Sequence, residues 1–241
     1  MTDIPLTIIL IANSIVFTGA LIQGVMGYGI GMFCAPLLFI LYPQFVPAPM
    51  IIVASVLTTI MLFRDKSFIN YAQVKWTMLG GLLGTVIAGL ILSSISLQEF
   101  QLIFGGLILV AVGFSIFGFS VKLNRINCTI AGGLSGFMGI ITAVGGPPVA
   151  LLYQRCSLQV LRANISAFFM SLNIIILITL YVIDRLTWND LQLVMFVIPG
   201  IILGFIVSNF VAPFLSPLVL RWFILTFSAI GGLVSIGKAL V

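Results

Sequence analysis

No charged side chain interrupts this chain between Asp3 and Arg64, between Lys75 and Glu99, between Arg162 and Asp184, or between Asp190 and Arg221. Runs of that length leave too few charges to solvate a surface, so lipid must be the solvent. Composition agrees, at 61% hydrophobic and 6% charged. No polar stretch is long enough for a soluble domain. Histidine is absent and the acids number five, which removes most metal sites and most acid–base catalysis. With no nucleophile–base pair either, neither an enzyme nor a metal or cofactor is expected. The three cysteines have no paired spacing and imply no disulfide framework. The start, Met1 to Pro5, lacks a basic n-region and a small-residue cleavage site, so no removable signal peptide is expected. The net charge of +5 reads as topology information and not as a nucleic-acid footprint.

Apolar segments fall at about 4–23, 32–42, 45–63, 74–95, 100–120, 128–139, 148–154, 163–183, 191–212 and 216–240. Six of them (45–63, 74–95, 100–120, 163–183, 191–212 and 216–240) reach the ~20 residues that span a bilayer. Residues 32–42 would make a helix only ~16 Å long, and 128–139 and 148–154 are short as well. Such pieces suit segments that dip to the midplane and return, which is tolerated where the backbone is buried in protein or lines a cavity. Residues 4–23 are long enough to span alone.

The short pieces flank two related passages. Gly136-Phe-Met-Gly-Ile-Ile-Thr-Ala-Val-Gly-Gly-Pro-Pro148 echoes Gly24-Val-Met-Gly-Tyr-Gly-Ile-Gly-Met-Phe-Cys-Ala-Pro36 without a gap, at an offset of 148 − 36 = 112. Gly24, Met26, Gly27 and Pro36 match Gly136, Met138, Gly139 and Pro148. Gly80 and Gly84 recur as Gly200 and Gly204, at an offset of 200 − 80 = 120. The chain therefore reads as an all-α integral membrane protein of two repeats, each a broken re-entrant helical hairpin followed by three transmembrane helices. The first repeat covers 1–120, a cytoplasmic linker 121–127, and the second repeat 128–241.

Charge placement fits this plan. With Arg64, Lys66 and Lys75 cytoplasmic, Lys122, Arg125, Arg155, Arg162 and Arg221 follow them inside. Glu99, Asp184 and Asp190 fall outside, as do Asp3 and the carboxyl end. Arg185 and Lys238 are the basic exceptions to a positive-inside pattern. Three crossings per half invert one repeat relative to the other, a recurring architecture of secondary transporters. Two full crossings in place of each hairpin, giving eight spans, keep the same sidedness. The expected location is the inner (plasma) membrane of a bacterium.

Proline is favoured in the first turn of a helix. Gly145-Gly146-Pro147-Pro148 reads as a helix start, and Cys34-Ala35-Pro36 as its counterpart. Each start offers up to four unpaired N–H groups and the positive end of a helix dipole. Two such ends facing one another at the midplane make an anion site that needs no Lys or Arg. A cation site would want an intramembrane carboxylate, and Asp65, Glu99, Asp184 and Asp190 all fall at segment ends. Candidate substrate-binding residues are Gln23, Tyr28, Gly29, Gly31, Cys34, Ser55, Thr142, Gly145, Gly146, Ser166 and Asn173, with Thr59 beside Ser55. Pro36, Pro147 and Pro148 are the helix-start residues. Bland readings stand beside these. Hydroxyls such as Ser55, Thr59 and Ser166 often bond their own helix, Cys34 fills space as a small apolar group, and Asn173 bonds either a neighbouring helix or the substrate. Arg155 and Arg162 either set topology or guide anions from the cytoplasm. Gly80-Gly81-x-x-Gly84 and Gly132-Gly133-x-x-Gly136 read as packing devices.

Gly24-Val-Met-Gly27-Tyr-Gly29-Ile-Gly31 with Pro36-Leu37, and Gly139 through Gly145-Gly146-Pro147-Pro148, are also where the chain resembles the TauE/SafE sulfite-exporter family. The resemblance covers the full length by size, hydropathy and repeat, and Gly-Gly-Pro-Pro is its most specific part. It implies transport of small sulfur-containing anions such as sulfite, thiosulfate or organosulfonates. The function expected is therefore a secondary transporter working by alternating access, with an anion channel on the same scaffold as the alternative. The expected partners are a small anionic substrate, the lipid bilayer and a coupling ion, either proton or sodium. The oligomeric state is not readable from the sequence.

Overall fold

A computed structural model describes residues 4–118 and 121–240, and within them the chain forms ten α-helices and no strand. The placements expected for Asp3 and for the last residue of the carboxyl end lie outside the described residues. The helices are α1 (Leu6–Met26), α2 (Ile30–Leu41), α3 (Ala48–Asp65), α4 (Tyr71–Ser94), α5 (Leu97–Phe117), α6 (Arg125–Thr142), α7 (Gly146–Tyr153), α8 (Leu158–Val182), α9 (Trp188–Val211) and α10 (Pro217–Leu240). Seven are long and apolar enough to cross a membrane: α1, α3, α4, α5, α8, α9 and α10. Six of these cover the spans read from hydropathy, and α1 is the seventh.

The two broken hairpins are less even than the hydropathy suggests. Each has a long arm (α1 with 21 residues, α6 with 18) and a short one (α2 with 12, α7 with 8). At 1.5 Å per residue, α6 is ~27 Å long and not the short arm expected at 128–139. It also begins at Arg125, inside the segment expected to be linker. Its polar first turn and its glycines lower the hydropathy, but Asn124 caps it by accepting from Asn127 N–H at 2.8 Å. The short arms, ~18 Å and ~12 Å, fold back along their long partners. Cys34 Sγ donates to Ile15 O at 3.4 Å, and Ser135 Oγ donates to Gly145 O at 2.5 Å.

Two of the five acids serve helix starts. Glu99 accepts from the N–H and hydroxyl of Ser96, and Asp190 from those of Thr187, in two capping boxes. Asp65 pairs with Arg64 at 3.2 Å. Basic side chains close helix ends, where carbonyls lack partners and the dipole is negative. Arg221 donates to Ser115 O near the end of α5, Arg185 to Leu92 O in α4 at 3.3 Å, and Lys238 to Ile40 O in α2 at 3.5 Å. The two exceptions to the positive-inside pattern, Arg185 and Lys238, thus have a local structural use.

In lipid, association of helices depends on close packing and interhelical hydrogen bonds, so small residues line the contacts. α4 and α6 run side by side with backbone against backbone: a β-carbon on Gly80 or Gly84 would overlap the carbonyl of Thr129 or Gly133, and one on Gly132 or Gly136 that of Thr77 or Gly81. α1 and α9 meet in the same way at Gly200 and Gly204, and Gly24 makes room for the Ser208 side chain. α5 pairs with α10, α3 with α8, α2 with α10, α7 with α5, α3 with α9, and α8 with α4. Exchanging α1–α5 for α6–α10 turns every one of these pairings into another of them or into itself.

One expected helix start is corrected. α2 begins at Ile30, and Pro36 lies inside it. A proline there removes the N–H that would bond the carbonyl four residues back. That carbonyl, Met32 O, instead accepts from Ser228 Oγ of α10 at 2.6 Å, and the proline ring fills the space left by Gly231. A distant hydroxyl therefore makes the interior proline acceptable.

Candidate functional site

The two interruptions, 27–29 and 143–145, meet at the centre of the bundle. Gly27 (φ 94°) and Gly29 (φ 125°) turn the chain from α1 into α2 through backbone conformations that L side chains rarely adopt. On the other side Ala143 takes the left-handed conformation (φ 58°) that ends α6, its N–H returning to Gly139 O at 2.8 Å. The breaks interlock: a β-carbon on Gly31 would overlap the Ala143 carbonyl, and the Tyr28 ring lies over Gly146.

Between them is a cavity of about 50 Å³. A water needs on the order of 10–15 Å³ in this measure, so the space suits a few waters or one small anion. Its walls are the two breaks, Ile51, Ala54 and Thr58 from the middle of α3, and Ile165, Phe169 and Asn173 from the middle of α8. Among the described residues, no acidic or basic side chain lines it.

Several of the polar groups facing this space are donors. Gln23 is 4% exposed, and its Oε1 accepts from Ile30 N–H at 3.2 Å. That bond fixes the orientation of the carboxamide and leaves the Nε2 amino group for the cavity. Asn173 is 5% exposed and its amide has no protein partner among the described residues. At the start of α2, Ile30 N–H is taken by Gln23 and Phe33 N–H bonds Gly29 O at 2.9 Å, so the N–H groups of Gly31 and Met32 remain as the free donors of the first turn. α7 offers fewer than the four donors a helix start can present, because Pro147 and Pro148 occupy its first turn and carry no N–H. Gly145 and Gly146 supply what is left.

Of the residues singled out in the sequence, Gln23, Tyr28, Gly29, Gly31, Gly145, Gly146, Pro147 and Asn173 line the cavity. The others stand apart from it. Cys34 is fully buried against Gly19 of α1. Ser55 Oγ donates to Ile51 O at 2.6 Å, and Thr59 Oγ1 to Ser55 O at 2.8 Å, each within its own helix. Thr142 Oγ1 donates to Met138 O at 2.7 Å and accepts from Val144 N–H at 3.0 Å, which shapes the end of α6. Ser166 is buried with an unpartnered hydroxyl. Pro36 packs on Gly231, and Pro148 faces a different groove. Sequence reasoning missed Thr58 and Phe169. Thr58 lies between the two hydroxyl residues chosen on that helix, and Phe169 is one turn before Asn173. Fixing the phase of each helix on its neighbours would have found both.

Below Gly27, Arg162 of α8 closes the end of α1. Its Nη2 donates to Gly24 O at 3.2 Å and to Val25 O, and its stem lies against Gly27.

Neither a curated protein nor a solved structure matches the chain. The sequence profile of the family described as Sulfite exporter TauE/SafE matches residues 12–235, nearly all of it, and takes in both breaks and all the helices around the cavity. The chain is a membrane-embedded member of the TauE/SafE sulfite-exporter family of transporters.

Proposed function

We propose that this protein is a secondary transporter of small sulfur-containing anions such as sulfite, thiosulfate or a short organosulfonate, bound in the cavity between the two breaks. The observation that carries this reading is the character of that cavity. It is walled by two helix starts and by two buried carboxamides, Gln23 and Asn173, and no carboxylate of the described residues lines it. Such a site favours an anion because donors and dipole ends converge where the dielectric is low. The substrate class follows the family's description.

The two halves, 1–120 and 128–241, are read as repeats inverted in the membrane, and alternating access as their exchange of shape. The way the helix pairings map onto one another when the halves are swapped supports this. Counterflow of labelled sulfite in proteoliposomes tests the carrier mechanism. A carrier loaded with unlabelled sulfite accumulates label transiently against its gradient. Label that simply follows its gradient, with no overshoot, means a channel and contradicts alternating access.

A further inference from the structure

We propose that Arg162, with Arg64 and Asp65 beside it, forms a second anion site below the central cavity, through which a small oxyanion passes between that cavity and the face carrying the α3–α4 loop. The proposal rests on the reading of the central cavity as an anion site.

Three observations place it. Gly27 lines the central cavity, and the aliphatic stem of Arg162 fills the space on the other side of Gly27. Arg162 therefore forms the partition at this end, and an ion crossing here must displace it. Second, its guanidinium is only partly engaged. Nη2 donates to Gly24 O and Val25 O, whereas Nε is buried with no partner. A buried charged donor left unpaired is unfavourable, and an oxyanion oxygen would satisfy it. Third, the surroundings keep a positive balance. Arg64 and Asp65 are the side-chain charges acting on Arg162, and they pair with each other at 3.2 Å. Arg64 is further held by Asn209 Oδ1 at 3.4 Å and by the Phe205 ring at 5.6 Å. Three charged groups thus leave one positive charge uncompensated, next to a neutral cavity.

The chemistry follows. An oxyanion arriving from the α3–α4 side meets Arg162, takes the Nε–H and draws the guanidinium from the α1 carbonyls. This frees the partition at Gly27. The charge attracts the ion over a Debye length of about 8–10 Å and lines the approach to the cavity, not its wall.

The test is the concentration dependence of labelled sulfite transport by the full-length protein in proteoliposomes at low ionic strength. Arg162→Gln is expected to raise KM about tenfold or more and Arg162→Lys about twofold. Arg162 also caps α1, so Arg64→Gln and Asp65→Asn, which make no hydrogen bond to α1 among the described residues, separate charge from folding. Arg64→Gln should raise KM and Asp65→Asn lower it, each by about threefold, and both differences should shrink as salt increases. Opposite shifts that fade with salt support the site. Unchanged KM values, or shifts in the same direction, on a wild type that transports sulfite overturn it and leave the central cavity standing. Wild-type protein that does not transport sulfite contradicts the cavity reading itself, and this site falls with it.

Discussion

On the proposed reading, two uncharged side chains, Gln23 and Asn173, give the cavity its preference for negative charge. The Gln23 carbonyl oxygen is occupied by Ile30 N–H, so what faces the cavity is its amino group. Replacing Asn173 with Ala removes a donor that has no partner among the described residues, so stability should change little. Sulfite affinity should fall by about tenfold, the worth of a hydrogen bond to a charged group, ~1.5 kcal/mol. Sulfite titration by isothermal calorimetry reads the affinity and a thermal melt the stability. Gly146 offers a sharper contrast. A β-carbon there meets only the Tyr28 side chain, at 3.7 Å, and Gly146 itself lines the cavity. Gly146→Ala should therefore fold and transport, whereas Gly146→Leu should fold, as judged by size-exclusion chromatography, and lose transport. At Gly31 even alanine would overlap the Ala143 carbonyl, so Gly31→Ala should lower the melting temperature and the yield of folded protein.

At the scale of elements, side chains from one helix repair the hydrogen-bond ladder of another. Ser228 serves Met32 O below Pro36. Asn13 does the same for α9 beside Pro199: its Nδ2 donates to Phe196 O at 2.7 Å while Gly200 N–H donates to its Oδ1 at 3.0 Å. The two ends of one helical rung are thus met by a side chain of α1. Asn13→Leu should lower the melting temperature, corresponding to about 1–3 kcal/mol, by leaving backbone groups of a membrane-spanning helix unpaired. Ser228→Ala should cost about 1 kcal/mol by the same measurement, because Pro36 prevents any backbone replacement. These repairs also explain what the sequence could and could not reveal. The breaks at 27–29 and 145–148 were legible because glycine and proline constrain the chain locally. Pro36 was misread as a helix start because its partner, Ser228, lies far along the chain. α6 looked short because hydropathy cannot see a polar turn that Asn124 caps. Thr58 and Phe169 were hidden because only packing decides which face of a helix meets the cavity.

For the whole molecule, the tightest contacts join helices from different halves of the chain. α4 and α6 are packed backbone to backbone, as are α1 and α9, and each hairpin links one such pair to the α5–α10 pair. A change of access would move these pairs as units and bend the chain at 27–29 and 143–145, where no helix ladder resists it. The central claim is that helix starts and carboxamides hold an anion at this meeting point without any fixed charge. Equilibrium binding of labelled sulfite to purified protein, with Gly146→Leu as the control, tests it most directly. Saturable one-site binding to the wild type that Gly146→Leu abolishes is the predicted result. Equal binding to both proteins would contradict the account.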